Sequence, residues 1–278
     1  NLVWPGPFGL SIESYIMVDL QDTTFVIPIR IDSLERIENL SILFSYFRNL
    51  LSTNLIILEA DKSQIGLSGV GPLDNLSYTF EKDDDVVFHR TKYLNTLSQM
   101  VKTEYIAVWD SDVIVPPSQI QYAISKLRDD SHDFLFPYDG RFLDTGVRHR
   151  INFMQSGKIE YLLENAESMS LPYTNTACGG GFFARLSDYL ECGGENENFY
   201  GWGQEDGERV KRWQILEKRV LRVKGPMFHL YHPRGTNSGY LSEEHRQAQI
   251  AEFYRISGLS RTDLLSEIAG WKVSRTNV

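Results

Sequence analysis

Short apolar runs rich in β-branched residues alternate with stretches of helical periodicity through the first half of the chain, and this alternation narrows the possible folds sharply. Thr24-Phe-Val-Ile-Pro-Ile-Arg30 reads as a buried strand, after which Asp32-Ser33 precede apolar Leu34, Ile37, Leu40, Ile42, Leu43 and Phe47 at helical spacing. Asn54 to Leu58, closed by Glu59, gives a second strand, Val86 to Phe88 a third and Tyr105-Ile-Ala-Val-Trp109 a fourth, with a helix over Thr91 to Val101 between the last two. Strands joined by helical crossovers pair in parallel, so the expectation is an α/β fold with a mostly parallel sheet covered on both faces.

The alternation loosens after Pro116-Pro117. A helix is expected over Ser118 to Leu127, a strand over Phe134 to Pro137, a polar turn, and a helix near Ile159 to Asn165. Gly179-Gly180-Gly181 leads into a strand at Phe182-Phe183-Ala184, Ser187 and Asp188 cap a short helix, and Glu208 to Leu216 is helical. Val220 to Val223 reads as a strand, and residues 241–257 and 260–269 as two polar helices. Residues 1–21, with Pro5, Gly6, Pro7 and Gly9, read as an irregular lead-in ending in an edge strand. No repeat or linker interrupts the chain, so one domain over 1–278 is expected, with a nucleotide-binding half at 22–115, a second half at 116–240 and closing helices at 241–278.

Composition removes several classes. With 42 % hydrophobic and 23 % charged residues in 278, the chain has the makings of an ordinary core. A net charge of −9 and the lack of any Lys/Arg cluster argue against duplex nucleic acid or an anionic membrane as partner. No apolar run reaches the length of a membrane span. Cys178 and Cys192 form neither a disulfide framework nor a zinc pattern and read as free thiols, while two sequons, at Asn39 and Asn75, are near chance.

Three segments carry chemistry. Asp110-Ser-Asp112 follows a strongly apolar strand, which puts two carboxylates at the edge of a parallel sheet where such sheets bind ligands. Carboxylates so placed can share a divalent cation with phosphate oxygens, although an Asp-X-Asp triplet is equally able to be a solvated turn. His229-Leu-Tyr-His232 can supply imidazoles to the same ion, or can be a surface loop with incidental histidines. Tyr200-Gly-Trp-Gly-Gln-Glu-Asp206 pairs a Trp between glycines, a platform for the apolar face of a sugar, with adjacent carboxylates Glu205 and Asp206.

In this order and spacing the segments resemble the GT-A glycosyltransferases, and more narrowly the β-1,4-galactosyltransferases and bacterial chondroitin-polymerase-type enzymes. Phe88-His-Arg-Thr-Lys-Tyr-Leu-Asn95 is similar to the Phe-Asn-Arg-Ala-Lys-Leu-Leu-Asn segment of the former, and Ile27-Pro-Ile-Arg30 to their Ile-Pro-Phe-Arg. The similarity runs from residue 24 to about residue 235. It implies a Rossmann-like GT-A sheet and an inverting transfer of a hexose, galactose or N-acetylgalactosamine first, from a UDP-sugar to a saccharide hydroxyl.

The resemblance also implies roles. Pro28, Arg30 and Glu59 fall where the family holds uridine, Arg90 where an arginine lies near the nucleotide, and Gly180 and Gly181 in the glycine run beside the donor. Asp112 with Asp110, and His232, match the metal site, for Mn2+ or Mg2+; His229 stands where animal galactosyltransferases carry a methionine ligand. Trp202 matches the sugar-contacting tryptophan, Glu205 a residue at the donor sugar and Asp206 the catalytic base. Gly207 replaces a further aspartate that holds the acceptor, leaving acceptor identity open.

A retaining transferase is the nearest alternative, but that group typically reads Trp-Gly-x-Glu-Asn, without a carboxylate where this chain has Asp206. A sugar nucleotidyltransferase lacks support because no Gly-rich phosphate loop follows the first strand. A catalytically inactive binding scaffold is disfavoured by the presence of Asp112, Asp206 and His232. The free thiols and the absence of an anchor give bacterial cytoplasm as the expected location, peripheral to the inner membrane at most and serving polysaccharide synthesis.

Overall fold

The computed structural model describes residues 17–67 and 74–276, so all of the sequence-predicted lead-in before residue 17 lies outside the described residues. In chain order the elements are β1 (Val18–Ile29), α1 (Leu34–Leu50), β2 (Leu51–Asp61), β3 (Leu76–Lys82), α2 (Arg90–Met100), β4 (Tyr105–Trp109), β5 (Val113–Ile114) and α3 (Pro117–Arg128). They continue as β6 (Phe134–Phe136), β7 (Phe142–Asp144), α4 (Gly146–Ser156), α5 (Ile159–Glu164), β8 (Gly181–Arg185), α6 (Leu186–Glu191), α7 (Glu205–Ile215), β9 (Val220–Arg222), β10 (Met227–His229), α8 (Glu243–Ser257) and α9 (Arg261–Thr276).

Seven strands form the main sheet in the order β3-β2-β1-β4-β8-β6-β9. Pairing is parallel except at β8, which runs antiparallel to both β4 and β6. The chain steps outward from β1 to β2 and β3, then returns to β4 on the other side of β1, so the connections diverge between β1 and β4. A crevice opens at such a switch point, beyond the carboxyl ends of the strands. The later part of β1, from Thr23 to Ile29, and all of β4 are buried, as their mainly apolar sequences require. Ser33 starts α1 by accepting a hydrogen bond from the Arg36 amide at 3.3 Å, and α1 then packs Leu40, Leu43, Phe44 and Phe47 inward. Behind the crevice Phe25, Phe47, Trp109 and Phe183 meet edge to face, with centroids 4.7 to 6.3 Å apart.

A second sheet of three short strands, β5-β10-β7, stands at that same edge. Its register places His229 opposite both Val113 and Asp144. Leu230 N donates to Asp112 O at 2.7 Å, and Thr145 N donates to His229 O at 3.0 Å, so the chain on either side of the site is tied strand to strand.

Several boundaries differ from the sequence reading. The third strand is Leu76–Lys82, not Val86 to Phe88. Asp83 and Asp85 explain this: their carboxylates accept from the Asp85 and Val87 amides at 3.0 Å, folding 83–87 into turns that compete with strand pairing. The expected polar turn after residue 137 contains β7 and α4, a helix closed by Gly157 at φ 64°. Helix α7 starts at Glu205 instead of Glu208, and α6 begins without a side-chain cap from Ser187 or Asp188.

Candidate active site

The switch-point crevice is a cleft of ≈ 570 Å³, a volume suited to a nucleotide-sized ligand. Pro28, Arg30, Arg90, Asp110, Asp112, Gly180, Trp202, Glu205, Asp206, His229 and His232 all line it. Glu59 and Gly181 do not. Glu59 is fully buried, accepting from the Ile65 and Gly66 amides at 2.8 and 3.0 Å and from the Tyr78 hydroxyl. Gly181 begins β8 behind the cleft wall, where a side-chain carbon would stand 2.7 Å from the Trp109 ring.

Asp112, His229 and His232 form a buried group whose ligand atoms all lie within 4.8 Å of one another. The second sheet makes this possible, since Asp112 precedes β5 and His229 ends β10. His232 Nδ1 lies 2.9 Å from Pro233 O and His229 Nδ1 lies 3.3 Å from Asp144 Oδ2. Both partners only accept, so a proton on each Nδ1 leaves each Nε2 able to offer its lone pair to an ion. Those two Nε2 atoms face Asp112, at 3.7 Å from Oδ1 for His229 and 3.3 Å from Oδ2 for His232. Burial would raise the Asp112 carboxyl, but the imidazoles and Arg36 outweigh it and hold the group well below the usual carboxylate range. One carboxylate and two imidazoles, each imidazole braced from behind by an oxygen, fit a divalent cation that accepts mixed oxygen and nitrogen donors.

Asp110 stands apart from that group. Its Oδ1 accepts from Arg90 Nη2 at 2.6 Å, and Arg90 Nη1 lies 3.7 Å from Asp206 Oδ1. Burial raises the Asp110 carboxyl, Arg90 opposing the rise and Asp112 and Asp206 adding to it. On the outer side Arg30 donates to Ala60 O and Asp85 O and pairs with Asp83 at 2.6 Å, its guanidinium 5.4 Å from the Phe88 centroid. Arg30 and Phe88 line the cleft together with Pro28.

The Trp202 loop reaches the cleft through left-handed backbone at Gly201 and Gln204 and φ 121° at Gly203. A side-chain carbon at 203 would stand 2.5 Å from the Tyr240 ring, so only glycine fits there. Trp202 meets Tyr240 edge to face at 5.1 Å, and Gln204 Nε2 donates to the Tyr240 hydroxyl at 3.1 Å. The loop ends at the first turn of α7 with Glu205 and Asp206, where the helix dipole favours negative charge. Glu205 is buried and accepts from the Gly203 amide at 2.9 Å, whereas Asp206 is partly open to the cleft.

Burial pushes Glu205 up to about 7, with Asp206 adding to the rise and Arg90 opposing it. A carboxyl raised from 4.5 in this way stabilises the fold through its protonated form. That contribution is complete below the unfolded value and is lost as pH climbs to about 7, a change of roughly 3 kcal/mol. In Glu205→Gln, urea unfolding of the metal-free protein is therefore expected to lose most of the decline in stability across that window. A decline equal to the parent's would show that other groups cause it.

Sequence reasoning missed Arg36 and Asp144. Arg36 lines the cleft 3.6 Å from Asp112 Oδ2, held by Asp32 at 2.9 Å one helical turn before it. Its position in the first turn of α1, at the mouth of the crevice, was an available signal. Asp144 had none, because its role depends on the pairing of β7 with β10.

Two family models match parts of the chain: residues 162–233 match the N-terminal domain of galactosyltransferase, and residues 90–194 match glycosyl transferase family 2. The chain is 25 % identical over 170 residues to β-1,4-galactosyltransferase 7 of Mus musculus and, to the same extent, of Homo sapiens. Those stretches cover 60 % of this chain and 39 % of each relative, so the match spans about two fifths of the relatives' length. Among solved structures, the catalytic domain of Drosophila β1,4-galactosyltransferase 7 with xylobiose superposes with a TM-score of 0.53 at 15 % identity, covering 82 % of this chain and 79 % of that one. A mutant of the same Drosophila enzyme, in complex with manganese, UDP-Gal and xylobiose, gives 0.50 at 17 % identity over 81 % and 78 %. The fold is that of the GT-A galactosyltransferases.

Proposed function

We propose that the chain is a metal-dependent, inverting glycosyltransferase that moves a hexose, galactose or N-acetylgalactosamine first, from a UDP-sugar to a saccharide hydroxyl. The observation that carries this reading is one cleft in which a buried Asp-His-His group and the Glu205-Asp206 pair both face the switch point of a GT-A sheet. The manganese and UDP-Gal held by the Drosophila neighbour support the donor and ion classes.

Asp112, His229 and His232 would hold the ion, which when bound supplies positive charge to the donor's diphosphate. Two imidazole donors favour Mn2+ over Mg2+. Arg36 adds a fixed cation beside the same carboxylate. Arg30, Phe88 and Pro28 shape the end of the cleft assigned to uridine, and Trp202 presents a flat ring to the sugar. Asp206 takes the proton of the acceptor hydroxyl as its oxygen bonds to the anomeric carbon; the bond from that carbon to the diphosphate oxygen breaks, and its electron pair leaves with UDP. A single displacement of this kind inverts the anomeric centre and needs no enzyme nucleophile.

The assignment extends to one catalytic unit with the nucleotide half at 22–115 and the donor and acceptor half at 116–240. Among the described residues no helix is long and apolar enough to cross a membrane. Bacterial cytoplasm remains part of the proposal, resting on the free Cys178 and Cys192. Calorimetry with UDP, with and without manganese, tests the reading, followed by a screen of UDP-hexoses for metal-dependent hydrolysis. Binding that appears only with the ion, and turnover of one hexose above the rest, is the expected result; no binding in either condition would leave a catalytically inactive scaffold.

A further inference from the structure

Asp206 is gripped on one oxygen. Oδ1 accepts from Arg209 Nη2 at 2.9 Å and lies 3.7 Å from Arg90 Nη1. Among the described residues no hydrogen bond reaches Oδ2, which is turned toward Gly179: a side-chain carbon at 179 would stand 2.4 Å from it. The two oxygens of this carboxylate are therefore in different situations, one committed to the protein and one bordered by a residue without a side chain.

The grip is rigid. Arg209 is 1 % exposed and donates from Nε to Glu195 Oε1 and Oε2 at 2.9 and 3.1 Å and from Nη2 to Oε2 at 2.9 Å. Its guanidinium carbon lies 4.8 Å from the Phe182 centroid. Glu195, equally buried, also accepts from the Tyr189 hydroxyl at 2.8 Å. Its backbone amide and carbonyl are both held by the Asn95 side chain, at 2.9 and 3.0 Å. A buried ion pair contributes little net stability compared with apolar residues of similar volume. This one spends a guanidinium hydrogen bond on a cleft carboxylate, and a planar fork can do that while chelating a second carboxylate where an ammonium cannot.

We propose that Arg209, locked by Glu195, is a positioning residue that holds Asp206 Oδ1 so that Oδ2 alone receives the acceptor's proton, and that Gly179 is bare to let the acceptor hydroxyl reach it. The proposal rests on Asp206 being the base. The acceptor O–H bond breaks with its proton passing to Oδ2, and the freed oxygen pair forms the bond to the anomeric carbon while UDP departs with the old one.

Arg209→Lys keeps a cation for Glu195 but cannot also orient Asp206. Its kcat for transfer is expected to fall about tenfold to hundredfold, with donor KM and manganese-dependent UDP affinity close to those of the parent in the folded protein. Donor hydrolysis, which needs no oriented acceptor, should fall less than transfer. An unchanged kcat, or a kcat lost only in step with UDP affinity and stability, would overturn the proposal. If Arg209→Lys does not fold, Gly179→Ala decides, because it leaves the buried pair intact and crowds Oδ2: transfer should drop with UDP and manganese binding kept, and full transfer would overturn the proposal. Asp206→Asn in the same panel separates the two ideas. Transfer surviving there defeats the base assignment itself, whereas an inactive Asp206→Asn beside unimpaired Arg209→Lys and Gly179→Ala defeats only the positioning role.

Discussion

Asp206→Asn is expected to lower the rate of sugar transfer by about 10² to 10⁴, the usual contribution of a positioned general base. The substitution is nearly isosteric, and the amide oxygen can still accept from Arg209 where Oδ1 does now, at 2.9 Å. What it removes is the capacity to take a proton. Because Asp112, His229 and His232 form a separate buried group, UDP affinity in the presence of manganese should stay within about twofold of the parent's, which in free-energy terms is under half a kcal/mol. Single-turnover transfer measured beside calorimetry checks both halves. Equal loss of transfer and of nucleotide binding would mean that Asp206 supports the donor site and that the base lies elsewhere.

The layout of the cleft was partly legible in the sequence. Buried strands announce themselves, so β1, β2 and β4 followed from unbroken apolar runs, and with them the edge at which Asp110 and Asp112 emerge. Edge strands do not. β3 alternates polar and apolar residues and is only partly buried, so its pattern is weak, while the apolar Val86-Val87-Phe88 drew the assignment although Val86 is 63 % exposed. The second sheet was invisible because its strands run two or three residues, too short for any period to register. Yet this sheet converts His229 from a loop residue into one fixed by two neighbours, and supplies Asp144 behind it. Long-range ion pairs were hidden for the same reason: the Glu195–Arg209 pair, 14 residues apart, exists only once the loop before α7 has folded back. The Trp202 loop was the opposite case. Its glycines mark left-handed backbone directly, and the structure uses Gly201 and Gly203 in that way.

Asp112→Ala should produce the other pattern, loss of ion, nucleotide and transfer together. Asp112 is the sole carboxylate in the three-residue group, and both imidazole Nε2 atoms face it. Disturbing an outer partner of a metal ligand typically costs 10- to 100-fold in affinity, so removing an anionic ligand is expected to weaken manganese binding by more than about 100-fold. The remaining imidazoles supply no negative charge and cannot offset that of a cation in a buried site. UDP affinity measured with manganese should then fall to its value without the ion, and added manganese should no longer raise activity. The metal-free protein should also lose stability at neutral pH, because Asp112 is held below the usual carboxylate range by groups that the variant leaves unpaired. Its stability should vary less with pH in the acid region, where the parent declines as Asp112 is protonated. A variant with the parent's manganese dependence would move the ion away from this triad, and Asp110, now paired with Arg90, would be the carboxylate to test next.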